Sequence, residues 1–228
     1  MCKQPDNITG YDSYYRVANY FHYREWLYRP YIKALVKRAK LSTGSRVLDA
    51  GCGQGFFTWL FGEEGMDVVG VDTSAQGIRS AQQQYNSTRV RFEIGDILLL
   101  PFRGEFDCVF TRSCSLYNVA SLEESHYVTE ALLSYLRPHG ILIVDYYSRL
   151  GGAGGSTTWI YHSLEGMKRH VSQYRGSRVY FSTRLDTMLI GRFAFTQPVT
   201  FLNSALSRLI GVGGELVAFI GATDSRKC

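Results

Sequence analysis

The segment VLDAGCGQGFFTWLF, residues 47–61, decides the fold of this 228-residue chain. A short apolar run carries one acid, Asp49, three glycines follow at every second position, and an apolar helical pattern begins directly after them. Glycine lets a backbone turn tightly and lets a ligand approach it closely. A strand, a glycine loop and a helix in this order are typical of the ligand-binding edge of a parallel sheet.

Strand and helix patterns alternate after this segment. Short apolar or alternating runs predict strands at 46–50, 67–71, 89–94, 106–111, 140–147 and 214–221. Apolar residues at helical spacing predict helices at 55–65, 74–86, 121–136 and 199–210. Strands separated by helices predict an α/β fold, a doubly wound seven-strand sheet that is mostly parallel with an antiparallel last strand.

The length fits a single domain. We divide it into an N-terminal helical cap (1–40), a cofactor-binding core (41–150), an inserted β-excursion (151–196) and a C-terminal helix and strand (197–228).

Two details of this division can be tested against a structure. Pro30 is predicted to lie in the first turn of the helix of the cap, where its missing N–H costs nothing. Within the excursion, GGAGG is predicted to be a flexible loop, and 178–185 and 187–196 are predicted as two antiparallel strands around Asp186.

Composition excludes several classes of protein. No apolar run approaches the roughly 20 residues of a membrane helix, and the N-terminal residues lack the apolar region of a signal peptide. The five cysteines are scattered without metal-ligand spacing, so we predict no metal site and no disulfide scaffold. These features favour a cytoplasmic protein with no membrane partner.

Charge is distributed unevenly along the chain. Residues 1–40 carry a net charge of +5, residues 41–136 carry −6, and residues 137–228 carry +6. This pattern is compatible with ordinary solvated surface, and it is also compatible with an acidic core segment that holds a cationic ligand.

A nucleoside-containing cofactor is indicated by a second acid. Asp72 lies 21 residues after Gly51, at the end of the next predicted strand, where a carboxylate accepts hydrogen bonds from ribose hydroxyls. The dinucleotide pattern G-x-G-x-x-G is not met, because residue 56 is Phe. Asp49 at the start of the loop suits an ammonium group better than a pyrophosphate.

The chain resembles the class I S-adenosylmethionine-dependent methyltransferases. The resemblance rests on VLDAGCGQG, VVGVD ending in Asp72, GDILLLPF with Asp96, FDCVFT and LRPHGILIV, which occur in the order and spacing of that family. It implies a Rossmann-like fold, S-adenosyl-L-methionine as the cofactor and S-adenosyl-L-homocysteine as the product.

The resemblance also implies roles for the cofactor-binding residues. Asp49 and the glycine loop, with Cys52, would hold the methionine part, Asp72 and Thr73 the ribose, and Asp96 and Ile97 the adenine. Arg112 would line the methionine end, and Tyr20 and Arg24 of the cap would close over the cofactor. The full set of cofactor residues is Tyr20, Arg24, Asp49, Gly51, Cys52, Gly53, Gly55, Asp72, Thr73, Asp96, Ile97 and Arg112.

The methyl acceptor is predicted to be a small molecule with an apolar or aromatic part, and an acid group on it is compatible with Arg112 and Arg149 nearby. Aromatic and basic residues fall in segments that should face the cleft at the ends of the fourth and fifth strands: Tyr117, Tyr146, Tyr147, Arg149 and Trp159. Transfer to nitrogen needs chiefly proximity and orientation, whereas transfer to a hydroxyl needs a base. His22, His162 and His170 lie in the covering segments and are the candidates for that base, and the choice between O and N stays open.

Two other functions remain open at this stage. The basic flanks would suit an RNA methyltransferase, although their cations are spread rather than clustered, so nucleic acid is disfavoured as a partner. The chain could also bind S-adenosylmethionine without catalysis. A homodimer is compatible with the sequence and is not required by it.

Overall fold

The computed structural model describes residues 7–150 and 159–222, with the side chains of all of these except residues 7–10 and 192. The GGAGG segment lies outside the described residues. The helices are α1 (Asn7–Tyr14), α2 (Glu25–Arg38), α3 (Phe56–Glu63), α4 (Ala75–Gln84), α5 (His126–Leu133), α6 (Leu164–Val171), α7 (Leu185–Ile190) and α8 (Gln197–Ile210).

The strands form one seven-stranded sheet in the order β3-β2-β1-β4-β5-β7-β6. They are β1 (Arg46–Ala50), β2 (Asp67–Asp72), β3 (Val90–Ile94), β4 (Phe106–Arg112), β5 (Leu136–Tyr147), β6 (Arg178–Ser182) and β7 (Glu215–Gly221). Strands β1 to β5 pair in parallel, and β7 runs antiparallel to both of its neighbours, β5 and β6. The predicted doubly wound sheet with an antiparallel last strand is confirmed.

Helices cover both faces of the sheet. On one face, α2 and α3 pack through Tyr31, Leu35 and Leu60 against strand residues such as Phe110. On the other face, α5 and α6 bury residues that include Leu132 and Met167. The strands at the centre are apolar on both sides because both faces are covered.

The second strand predicted for the excursion, residues 187–196, is wrong. Residues 178–182 do form a strand, but that strand is β6, the last strand of the main sheet. Residues 187–196 are not a strand, since they form most of α7 and a short 3₁₀ turn, Gly191–Phe193. The apolar residues of TMLIGRFAFT gave a strand-like pattern, but several of them are exposed rather than alternating into a core.

Two predicted helices have different bounds. Helix α2 begins at Glu25, so Pro30 lies inside it rather than in its first turn. The predicted helix 121–136 is a 3₁₀ turn, Leu122–Ser125, followed by α5. Among the described residues, none of the helices is long and apolar enough to cross a membrane.

Candidate functional site

The glycine loop between β1 and α3 turns through left-handed backbone at three positions. Gly51, Gly53 and Gly55 have φ of 84°, 53° and 79°, a backbone region that residues other than glycine rarely adopt. A Cβ on Gly51 would meet nothing within 4 Å, whereas one on Gly55 would lie 2.6 Å from the Phe92 ring. The loop therefore presents open backbone at Gly51 and is packed tightly at Gly55.

Asp72 joins the glycine loop to the end of β2. One carboxylate oxygen accepts a hydrogen bond from the Gly53 N–H at 2.8 Å, and the other accepts one from the Ser74 N–H at 2.8 Å. Burial raises the pKa of Asp72, and these two hydrogen bonds work to lower it. A carboxylate oxygen accepts more than one hydrogen bond, so Asp72 keeps capacity for a ligand.

Asp49 is buried on the core side of the same loop. Its carboxylate accepts a hydrogen bond from the Thr58 hydroxyl at 2.6 Å. Burial raises the pKa of Asp49 to about 7, although the bond from Thr58 opposes that rise. A cationic ligand beside it would restore the ionised form, because an opposite charge lowers the pKa of a carboxylate.

A segment that we call the N-terminal cover, residues 11–24, lies over the glycine loop. The Gln54 side-chain amide donates to the carbonyls of Tyr15 and Val17 at 3.1 and 2.9 Å, and its oxygen accepts from the Tyr20 N–H at 3.0 Å. Asp12 accepts hydrogen bonds from the Ser74 hydroxyl and the Gln76 N–H. The cover is thereby attached both to the loop and to the start of α4.

A cavity of about 250 Å³ lies at the carboxyl ends of β1, β2, β4 and β5, beneath the N-terminal cover. It brings together most of the residues predicted to bind the cofactor and two of those predicted to bind the acceptor. These are Asp49, Gly51, Cys52, Gly53, Asp72, Thr73, Asp96, Ile97, Arg112, Tyr147 and Trp159.

Three residues predicted to bind the cofactor lie outside the cavity lining. Tyr20 stacks on Tyr14, with ring centroids 5.1 Å apart, and takes part in the cover through its backbone. Arg24 is exposed at the start of α2. Gly55 is buried against Phe92 and Ala81, where it lets α3 begin close to α4.

The three candidate histidines also lie outside the cavity lining. His22 is exposed. The His162 ring lies 2.9 Å from the Tyr117 carbonyl, where its Nε2–H donates, and burial lowers its pKa. His170 lies 2.9 Å from the Thr129 hydroxyl and stacks on His126, and burial lowers its pKa to about 4. His162 and His170 thus take part in the packing beside β5.

Three residues predicted to bind the acceptor are placed elsewhere. Tyr117 is fully buried, with its hydroxyl 2.9 Å from that of Thr129. Tyr146 is fully buried and packs against His162 and Trp159. Arg149 is exposed and donates to the Tyr161 carbonyl.

Arg112 lines the cavity, but its guanidinium is held in a buried charge network. Its Nε lies 3.0 Å from Asp145, its Nη1 donates to the Tyr23 hydroxyl at 2.8 Å, and its Nη2 pairs with Glu215. Arg184 also pairs with Glu215. Burial works to raise the pKa of Glu215, but Arg112 and Arg184 together hold it below its usual range.

The remaining lining residues were not among the predicted site residues. The N-terminal cover contributes aromatic rings, the loop after β4 contributes small polar groups, and α3 contributes two phenylalanines. They include Tyr11, Tyr15, Phe21, Tyr23, Gln54, Phe56, Phe57, Ser113, Cys114, Ser115 and Leu116. The density of tyrosines in residues 11–23 was the available signal for the first group.

The family comparison agrees with this geometry. A family model described as a methyltransferase domain matches residues 41–174, more than half of the chain. The chain belongs to the methyltransferase-domain family. The predicted resemblance to class I enzymes that use S-adenosylmethionine is confirmed, and so is the assignment of the protein as a methyltransferase.

Individual relatives differ in what they act on. The chain is 40% identical over 78 residues to the magnesium-protoporphyrin O-methyltransferase of Rhodobacter capsulatus, which covers 33% of this chain and 34% of that protein. It is 30% identical over 128 residues to the malonyl-[acyl-carrier protein] O-methyltransferase of Enterobacter lignolyticus, with 56% and 49% covered. The chain spans about half the length or less of such curated relatives.

A similar solved structure is phosphoethanolamine N-methyltransferase 2 of Haemonchus contortus in complex with phosphomonomethylethanolamine and S-adenosylhomocysteine. The TM-score is 0.59 at 20% identity, with 86% of this chain and 55% of that chain covered. At this identity, the similarity concerns the fold.

Proposed function

We propose that this methyltransferase transfers the methyl group of S-adenosylmethionine to a nitrogen or oxygen atom of a small molecule that has an apolar or aromatic part. The observation that carries the proposal is a cavity lined both by the acids predicted to bind the cofactor and by the aromatic residues Tyr11, Tyr147 and Trp159. Its lining of rings with a few polar groups, beneath the N-terminal cover, suits small ligands rather than a polymer.

The residues present fit the proposed cofactor. Asp72 would accept hydrogen bonds from the ribose hydroxyls, Asp96 and Ile97 would hold the adenine, and Asp49 with the open backbone at Gly51 would hold the methionine end. The Asp96 Oδ1 already accepts the Leu98 N–H at 2.9 Å, which fixes the carboxylate and leaves its second oxygen for a ligand. When bound, the cofactor supplies an electrophilic methyl group on a sulfonium.

The acceptor wall is proposed to consist of Tyr11, Tyr147 and Trp159 together with the short loop Ser113–Leu116 after β4. The rings supply apolar contact surface, and the two serines of the loop can orient a polar group. Arg112 is excluded as an anchor for an acid group on the acceptor, because Asp145, Glu215 and Tyr23 occupy its guanidinium.

Catalysis is proposed to rest on proximity and orientation. No histidine is found among the described residues that line the cavity. Burial raises the pKa of Cys114 to about 11 and also raises the pKa values of Tyr11, Tyr15 and Tyr23, so these groups keep their protons near neutral pH. The carboxylates of the lining, Asp49, Asp72 and Asp96, are assigned to the cofactor, so the acceptor atom is one that reacts without a protein base, such as a neutral amine or an acidic oxygen that is already ionised.

The proposal is tested by transfer of a labelled methyl group from S-adenosylmethionine to a panel of aromatic amines, phenols and carboxylates. Bulk tRNA is included as a competing acceptor at two salt concentrations. Methyl incorporation into a small acceptor supports the proposal. Incorporation into RNA with steep salt dependence contradicts it, and tight cofactor binding without turnover on any acceptor favours a non-catalytic binding protein.

A further inference from the structure

Helix α8 is built with its polar side inward. Its buried residues are Thr200, Ser204 and Ser207, whereas its large apolar residues are exposed. A surface helix ordinarily buries its apolar stripe and turns its polar stripe to water. Helix α8 therefore does the reverse of what its pattern would predict.

The inward polar stripe has a structural reason. Strand β6 is at the edge of the sheet and would expose unpaired backbone groups. The Phe181 N–H donates to the Thr200 hydroxyl at 3.3 Å, and the Gln197 amide donates to the Val179 carbonyl at 3.3 Å. Helix α8 thus closes the edge of β6 with its side chains, and its apolar stripe is left on the outside.

Helix α7 is joined to α8 by a side-chain hydrogen bond. The Asn203 amide of α8 donates to the Asp186 carboxylate of α7 at 2.8 Å. We define the apolar outer face as the large apolar residues of the two helices that are 39% to 82% exposed: Leu185, Met188, Leu189, Ile190, Phe201, Leu202, Leu206, Leu209 and Ile210. A monomer rarely exposes a contiguous apolar patch of more than about 300–600 Å².

The charges around this face indicate its partner. Residues 187–214 contain no acid, and the Arg208 side chain is exposed on α8 itself. Lys168, Arg169, Arg175 and Arg178 are also exposed, on α6, on the segment after it and on the first residue of β6, so they add to the positive charge of this edge of the sheet without forming part of the face. Glu165 is the exposed acid of the described residues 164–214, since Asp186 is buried.

We propose that the apolar outer face binds the surface of an anionic lipid bilayer. An apolar stripe that carries a cation and has no acid beside it in residues 187–214 suits shallow insertion among anionic lipid headgroups, and each basic residue near an anionic surface strengthens the attachment. This is a surface attachment and needs no spanning helix. It revises the sequence-based expectation of no membrane partner, which rested on the lack of a spanning segment.

A second copy of the chain fits this face less well. Pairing through strand β6 is blocked, because α8 already occupies its edge. A two-fold interface through α8 would bring two apolar stripes together with two copies of Arg208 and no acid of residues 187–214 to pair with them.

The test is co-sedimentation of the full chain with vesicles of phosphatidylcholine alone and of equal parts phosphatidylcholine and phosphatidylglycerol. We expect binding to the anionic vesicles that weakens with salt. The variant Leu206→Glu with Leu209→Glu should lower that binding by about tenfold or more for each substitution, because each removes a buried leucine from the lipid contact. Arg208→Glu should lower binding to the anionic vesicles and leave binding to neutral vesicles almost unchanged.

The matched control is Leu99→Glu. Leu99 is 79% exposed and follows β3, at the opposite edge of the sheet from β6. All variants should keep their melting temperature and their affinity for S-adenosylmethionine, because the substituted side chains are exposed and lie outside the cavity.

Two results would overturn the proposal. One is binding to vesicles that is the same in the Leu206→Glu/Leu209→Glu variant and in Leu99→Glu. The other is a dimer in sedimentation equilibrium that the double variant dissociates, with no binding of the wild type to either vesicle, which would assign the face to a second copy.

Discussion

The Gln54 side chain, within the glycine loop, donates a hydrogen bond to the backbone carbonyl of Tyr15 in the N-terminal cover. The same side chain bonds the Val17 carbonyl and the Tyr20 N–H. Because each such bond contributes about 0.5–1.5 kcal/mol, we expect Gln54→Ala to detach the cover and to weaken cofactor binding by roughly tenfold or more. Faster cleavage of residues 11–24 in limited proteolysis should accompany the loss of affinity in calorimetry.

Gln83→Ala is the matched control for this substitution, because Gln83 is exposed on α4 and does not line the cavity. If Gln54→Ala and Gln83→Ala have the same digestion rate and the same affinity, the cover is not held by Gln54.

We expect Asp72→Ala to weaken S-adenosylmethionine binding by more than the substitution of an exposed acid does. The substitution leaves the Gly53 and Ser74 N–H groups without their acceptor and removes the proposed acceptor for the ribose hydroxyls, at roughly 1–3 kcal/mol for each buried group left unpaired. Calorimetry measures the affinity, and Asp67→Ala, an exposed position on the same strand, is the control. Unchanged affinity in Asp72→Ala would reject Asp72 as the acceptor for the ribose hydroxyls. If the wild type bound NAD more tightly than S-adenosylmethionine, the assignment of the cofactor would be rejected.

The affinity for S-adenosylmethionine should rise with pH toward about 7. Burial raises the pKa of Asp49 to about 7, so below that pH the free protein holds this carboxyl protonated. The proposed ammonium of the cofactor needs the ionised form, and binding below pH 7 therefore releases a proton and weakens by up to about tenfold per pH unit. Asp49→Asn should remove this slope.

Calorimetry in two buffers with different ionisation enthalpies measures the released proton directly. Glu93→Gln, on the exposed side of β3, should keep the slope of the wild type. A slope that persists in Asp49→Asn would assign the titration to another group.

We expect His162→Ala to lower stability without lowering turnover per folded molecule. The substitution leaves the buried Tyr117 carbonyl without its donor, which costs about 1–3 kcal/mol of the free energy of unfolding. The ring lies outside the cavity, so kcat and its pH profile should stay those of the wild type once an acceptor is identified. If His162→Ala stays folded but its pH profile of kcat loses a limb that the wild type has, His162 acts as a general base.

The order of the elements around the glycine loop could be predicted because each strand there is short, apolar and bounded by turn residues. Asp72 and Asp96 could be placed at one edge of the sheet, since parallel strands end together. The bounds of α2 could not be predicted, because Pro30 within a helix is tolerated only where tertiary contacts of residues such as Tyr31 and Leu35 outweigh the lost hydrogen bond.

The outer part of the site was harder to predict for a different reason. Tyr20 and Arg24 were chosen from the N-terminal cover by residue type, but the turn at Asn19–Tyr23 directs Tyr23 rather than these two toward the cavity. Helix α8 was predicted from its periodicity, which gives the position of the apolar stripe but not the direction that it faces. Only the unpaired edge of β6 determines that direction.

The attachment of Asp12 to Ser74 and Gln76 has a kinetic consequence. While this contact holds, Tyr15 lies over Gly53 and Tyr11 forms part of the cavity wall. With donor and acceptor at their proposed positions, the donor would have to enter before the cover settles, and the wall that receives the acceptor would be complete only afterwards. Turnover should follow a compulsory order in which S-adenosylmethionine binds before the acceptor. In product-inhibition kinetics, S-adenosylhomocysteine should then compete with S-adenosylmethionine and not with the acceptor.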